Sequence, residues 1–94
     1  LIAERVLTLG GTPLHTFSDY IENSKLKVGK GISKDVEAIQ LILDSLSVLL
    51  QIERTILTKS SAINDEGTNS MMSDFIAEQE KTNWMLKAWM EEEI

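Results

Sequence analysis

Val36, Ile39, Leu43, Leu46, Leu50 and Leu57 recur along the middle of this chain at alternating steps of three and four. Only Glu53 breaks the alternation, and Ile42, Leu49 and Ile56 widen the stripe. That period belongs to a helix whose broad apolar face packs in a bundle, not to a strand or a strict two-stranded seam. The spacing predicts one long helix over about 34–63. Ser33 precedes it as a candidate N-cap, and Asp35 and Glu37 suit the positive end of its dipole. Asn64-Asp65-Glu66-Gly67 then reads as a tight turn. A second long helix is predicted over 68–92, with Met71, Met72, Phe75, Ile76, Met85, Leu86, Trp89 and Met90 on its apolar face and Gln79, Thr82 and Asn83 interrupting it. Two helices joined by so short a turn pack antiparallel, here with Leu43, Leu46, Leu50, Phe75 and Leu86 inward.

The first third is punctuated differently. Residues 1–9 have helical spacing at Ile2, Val6 and Leu9 but no cap before them. Gly10-Gly11 stops this helix, and Pro13 prevents it from resuming. So short a helix needs a partner, and Leu1 is expected to lie partway along a longer helix of a larger protein. Thr16 or Ser18 can cap a short helix ending near Asn23, with Phe17, Tyr20 and Ile21 on a face that must pack on something. Residues 25–32 read as an exposed loop, and Glu91-Glu92-Glu93 as a frayed acidic end.

With one proline among 94 residues, an all-α fold is favoured, as one small domain. No apolar run reaches membrane-spanning length, and no signal peptide is visible. The absence of cysteine excludes disulfides and thiolate chemistry. Nine basic residues stand against fifteen acidic ones, a net charge of −6, which opposes DNA binding by this portion. Lys25, Lys27, Lys30 and Lys34 form the one basic cluster and read as a solvated loop. There is no phosphate-binding glycine loop, nucleophile elbow or HExxH pattern. His15 has no second histidine to pair with, so it reads as a surface residue. Glu53, within an apolar stripe, predicts a buried carboxylate with a partner such as Arg5 or a lysine from another helix. The methionines read as core filler, and Trp84 and Trp89 as packing or interface anchors.

Ile2-Ala3-Glu4-Arg5, Leu9-Gly10-Gly11-Thr12-Pro13, Asp19-Tyr20 and Ser24 occur in order with Asp65-Glu66-Gly67-Thr68, Glu80-Lys81 and Trp84-Met85-Leu86. This ordered set resembles the Dps family of mini-ferritins over essentially the whole chain. The resemblance implies a ferritin-like four-helix bundle with a short extra helix between the second and third. Residues 1–94 would form a single partial domain of it: the end of helix two, the short helix, and helices three and four. It further implies a cytoplasmic, hollow, dodecameric homo-oligomer that oxidises ferrous iron, preferably with hydrogen peroxide, and stores the ferric mineral.

The family's di-iron ferroxidase site is shared between subunits, with two histidines from one and an aspartate and a glutamate from the other. Glu4 matches that glutamate and is the catalytic and metal-ligand candidate. The aspartate would fall just before Leu1, and the histidines further upstream. Asp65 and Asp74 match the first and last carboxylates of a negative pore that admits iron, while Ser70 stands at an intermediate position that is often acidic. No haem is expected, since the methionine spacing does not support haem ligation. The competing expectation is a non-catalytic helical module whose apolar faces serve only assembly.

Overall fold

A computed structural model describes residues 1–93, with side chains through Glu91. The described residues form four helices in chain order: α1 (Ile2–Thr8), α2 (Phe17–Asn23), α3 (Asp35–Ala62) and α4 (Glu66–Glu93). The side chains of Glu92 and Glu93, in the acidic end expected to fray, lie outside the described residues, although the α4 backbone runs through Glu93. The two 28-residue helices are each about 42 Å long at 1.5 Å per residue. They set the longest dimension of a flat body measuring 46 × 29 × 17 Å. Among the described residues they are the one pair of helices in extensive contact, which matches the expected antiparallel hairpin.

Two chain reversals explain where the helices stop. After α1, the Gly10 N–H donates to the Leu7 carbonyl at 3.0 Å and the Gly11 N–H to the Val6 carbonyl at 2.9 Å. Gly10 takes φ +87°, the left-handed conformation this Schellman closure requires. Residues 60–65 repeat the device without glycine. The Asn64 N–H donates to the Ser61 carbonyl at 3.2 Å and the Asp65 N–H to the Ser60 carbonyl at 2.8 Å. Asn64 sits at φ 59°, a region asparagine tolerates better than most residues.

Capping agrees with the sequence at one helix and differs at two. Thr16 caps α2, its hydroxyl accepting the Asp19 N–H at 3.1 Å. At α3 the cap position is Lys34, with no side-chain cap, so Ser33 does not serve there. At α4 the helix begins at Glu66, two residues earlier than expected, because Asp65 turns back to accept the Thr68 N–H at 3.2 Å.

The buried apolar core is Leu43, Leu50 and Met72, with Leu46, Phe75 and Leu86 half-buried along the same seam. Met85, expected on the apolar face of α4, is exposed, as is Trp84, whereas Trp89 and Met90 are half-buried. The face of α2 is also uncovered: Phe17 is 85% and Ile21 78% exposed. Tyr20 is held by its hydroxyl, which donates to the Leu14 carbonyl at 3.1 Å.

Glu53 is buried, as its place in the stripe predicts, but its partner is neither Arg5 nor a lysine. Gln79 Nε2 of α4 donates to Glu53 Oε2 at 2.9 Å. Gln79, one of the residues read as interrupting the apolar face, is thus the polar half of a buried pair. The remaining oxygens, Glu53 Oε1 and Gln79 Oε1, are buried with no hydrogen-bond partner among the described residues. Arg54, next in sequence to Glu53, points outward to Glu80 at 2.9 Å in an exposed ion pair. Removing one member of the buried pair strands the other, so Gln79→Leu is expected to cost about 1–3 kcal/mol. The double variant Glu53→Leu/Gln79→Leu is expected to recover most of that loss, because two apolar groups can replace a buried polar pair. Urea unfolding of the three chains checks this, and a double variant no more stable than Gln79→Leu would contradict it.

Candidate functional site

Glu4 lies in the middle of α1, with its side chain 84% exposed. Its carboxylate makes no ion pair or hydrogen bond with another side chain among the described residues. It is therefore a solvent-facing carboxylate with lone pairs free for a hard cation. Among the described residues, no three of His, Asp and Glu gather into a set able to hold a metal ion. Glu4 fits the part of one oxygen ligand, and this chain alone does not assemble a complete site.

Arg5 follows directly, and its role was not legible in the sequence. Its guanidinium reaches across to the start of α4, with Nη2 2.6 Å from Asp65 Oδ1 and Nε donating to Thr68 Oγ1 at 3.1 Å. The Thr68 hydroxyl in turn donates to Asp65 Oδ2 at 2.6 Å. Gly67 completes the arrangement. A Cβ at that position would lie 2.6–2.7 Å from the Arg5 guanidinium atoms, closer than any real contact. The Asp65-Glu66-Gly67-Thr68 motif thus forms a clamp around one arginine: Asp65 supplies the charge, Thr68 a hydroxyl and Gly67 the room.

Asp65 is accordingly a helix cap and an ion-pair partner, with its side chain 15% exposed. The Thr68 hydroxyl and backbone N–H, together with Arg5, hold its carboxyl below the usual carboxylate value, against the opposing pull of partial burial. A carboxylate whose folded-state value is lowered adds stability in full above its unfolded value, about 4. That contribution fades as pH falls through the lowered value. In an acid titration, stability should therefore drop more steeply for the wild type than for Asp65→Asn from about pH 4 downward. Parallel curves would contradict this coupling.

Asp74 is exposed, nine residues further along α4. That is two and a half turns, so it projects from the opposite side of the helix to Asp65. The two pore candidates are not brought together within one chain. His15 is exposed, in keeping with a surface residue. A groove of about 720 Å³ runs along the hairpin between Leu43, Leu50, Arg54, Glu80 and Met90. A smaller apolar one lies beside α1, under Val6, Pro13 and Leu14. Among the described residues, no helix is long and apolar enough to cross a membrane.

Known proteins share this architecture. A sequence profile of the ferritin-like domain matches residues 1–93. A crystal structure of a DPS protein from Vibrio cholerae, described as a member of the ferritin-like diiron-carboxylate superfamily, superposes with a TM-score of 0.92. It is 42% identical and is matched over 95% of this chain and 56% of its own. A Dps protein from Bacillus brevis superposes at 0.90 with 28% identity, over 95% of this chain and 60% of its own. Among curated sequences, an uncharacterized protein of Haemophilus influenzae is 45% identical over 87 residues, 93% of this chain and 54% of that protein. The DNA protection during starvation protein of Porphyromonas gingivalis is 33% identical over 88 residues, 94% of this chain and 55% of that protein. The chain spans about half the length of these curated relatives. With residues 1–93 matched by the ferritin-like domain, the chain belongs to the ferritin-like family, within which its likeness is to the Dps proteins.

Proposed function

We propose that the full-length protein is a Dps-type iron-storage and iron-detoxification protein of the cytoplasm. Its substrates are ferrous iron and hydrogen peroxide, and it keeps the ferric product as mineral inside a hollow homo-oligomeric shell, by family likeness a dodecamer. The observation that carries this reading is the match of residues 1–93 to the ferritin-like domain, joined to 42% identity with a diiron-carboxylate DPS protein. Two ferrous ions give one electron each to peroxide. The O–O bond breaks, and with two protons both oxygens leave as water, so no one-electron step releases hydroxyl radical. The chain's own contribution is Glu4, a charged oxygen ligand to one of the irons; the aspartate and histidines that would complete the site lie in the rest of the protein. Leu7 on α1 and Phe17 and Ile21 on α2 are large apolar side chains exposed in this chain, which spans about half the length of its relatives. The rest of the protein and neighbouring subunits are therefore both available to cover them.

Asp65 and Asp74 are proposed to border the pore that admits iron. The Asp65 charge is already balanced by Arg5, so Asp74 carries the larger share of the attraction for cations. The acidic balance of the chain opposes contact with the DNA backbone, and no role in DNA binding is assigned to this portion.

Iron oxidation by the purified full-length protein, with peroxide consumed at one per two ferrous ions, tests the reading. A protein that bound no iron and left the uncatalysed rate unchanged would be the assembly module instead. In the same assay Asp74→Asn is expected to raise the iron concentration needed for half-maximal rate and to leave the maximal rate alone. A lowered maximal rate with unchanged concentration dependence would remove Asp74 from the pore.

A further inference from the structure

We propose that Arg5 is a positioning residue for Glu4: its guanidinium, clamped by Asp65 and Thr68 over Gly67, fixes the rotation of α1 and with it the direction in which the Glu4 carboxylate points. The inference rests on the reading of Glu4 as a metal ligand and adds to it the means by which that ligand is held.

Glu4 and Arg5 lie in the last two turns of α1, which ends in a glycine reversal. Helix ends fray, so the orientation of these turns depends on what they are bonded to. Arg5 carries the side-chain hydrogen bonds that tie them to the hairpin, spanning 60 and 63 residues of sequence to the start of α4. Adjacent helical residues are separated by 100° and 1.5 Å, so any turn of the helix that moves Arg5 moves Glu4 equally. At a side-chain radius of about 5–6 Å, a 20° turn carries the carboxylate about 2 Å. Ligand geometry tolerates far less, about half an ångström. The planar, two-pronged attachment resists such a turn, because Nε and Nη2 engage different residues. The missing Cβ of Gly67 gives independent support, since this backbone leaves room for a guanidinium where any other residue would displace it.

The test is Co(II) binding to the assembled full-length protein without oxidant, followed by the metal's visible absorption. Arg5→Lys keeps the charge but loses the fork. Gly67→Ala keeps every partner and pushes the guanidinium away. Thr68→Val removes the Nε acceptor, and it decides the matter if either of the others fails to assemble. Each is expected to weaken Co(II) binding about tenfold, as changes to the supporting groups of a ligand do. The Arg5→Lys/Gly67→Ala double variant is expected to bind no more weakly than the weaker single variant, because both undo one clamp. If assembled variants melt at a lower temperature yet bind Co(II) as the wild type does, while Glu4→Gln binds it poorly, Arg5 is structural only and the proposal is wrong. Fully additive losses would overturn it as well. If Glu4→Gln itself leaves Co(II) binding unchanged, the ligand reading falls first and the positioning role with it.

Discussion

Leu50→Ala is expected to destabilise the hairpin by about 2–5 kcal/mol. Leu50 is 6% exposed, midway along α3, beside Glu80 and Asn83 of α4. Truncation removes three carbons from the seam and leaves a void that two rigid helices close only in part. The groove along this part of the hairpin lets solvent and neighbouring side chains relax into some of that space, which places the cost in the lower half of the range. Ile63→Ala is the control. Ile63 is 74% exposed at the turn, and its loss should change stability by less than about 0.5 kcal/mol. Urea midpoints at constant m-value report both. Equal effects at the two positions would mean that the stripe does not define the core.

The hairpin was legible because a 28-residue helix repeats its signal many times. Leu43 and Leu50 are where the alternation puts them, and the polar break at Glu53 marks a buried carboxylate as expected. The partner of Glu53 was not legible. Gln79 lies 26 residues away and reads, on α4 alone, as a flaw in an apolar face. A residue that interrupts one stripe is informative only when the break in the facing stripe is aligned with it. The Arg5 clamp was hidden for the same reason. Arg5, Asp65, Gly67 and Thr68 come from two ends of the chain, and nothing periodic connects them. Gly67 looked like turn composition, yet it lies inside α4, where its lack of a side chain is what Arg5 needs. Cap positions slipped by one or two residues, at Lys34 and Asp65, because several polar residues there compete for one role. The face of Phe17 and Ile21 calls for a covering partner, and none of the described residues provides it.

In the full-length protein, Glu4→Gln is expected to leave the shell assembled and to slow iron oxidation by at least about tenfold. Loss of a group that merely supports a metal ligand costs about 10–100-fold, and loss of a charged ligand itself should cost no less. Glutamine has nearly the same volume, and the Glu4 side chain is 84% exposed in this chain. Stability and assembly therefore serve as internal controls. The measurement that decides the matter is stopped-flow oxidation of ferrous iron by hydrogen peroxide, for wild-type protein and Glu4→Gln, across a range of iron concentrations. The predicted result is a deficit in Glu4→Gln that persists at saturating iron, in contrast to the delivery deficit of Asp74→Asn, which closes as iron rises. Oxidation by Glu4→Gln as fast as wild type at every concentration would contradict the assignment of Glu4, and with it the chemistry proposed for this chain.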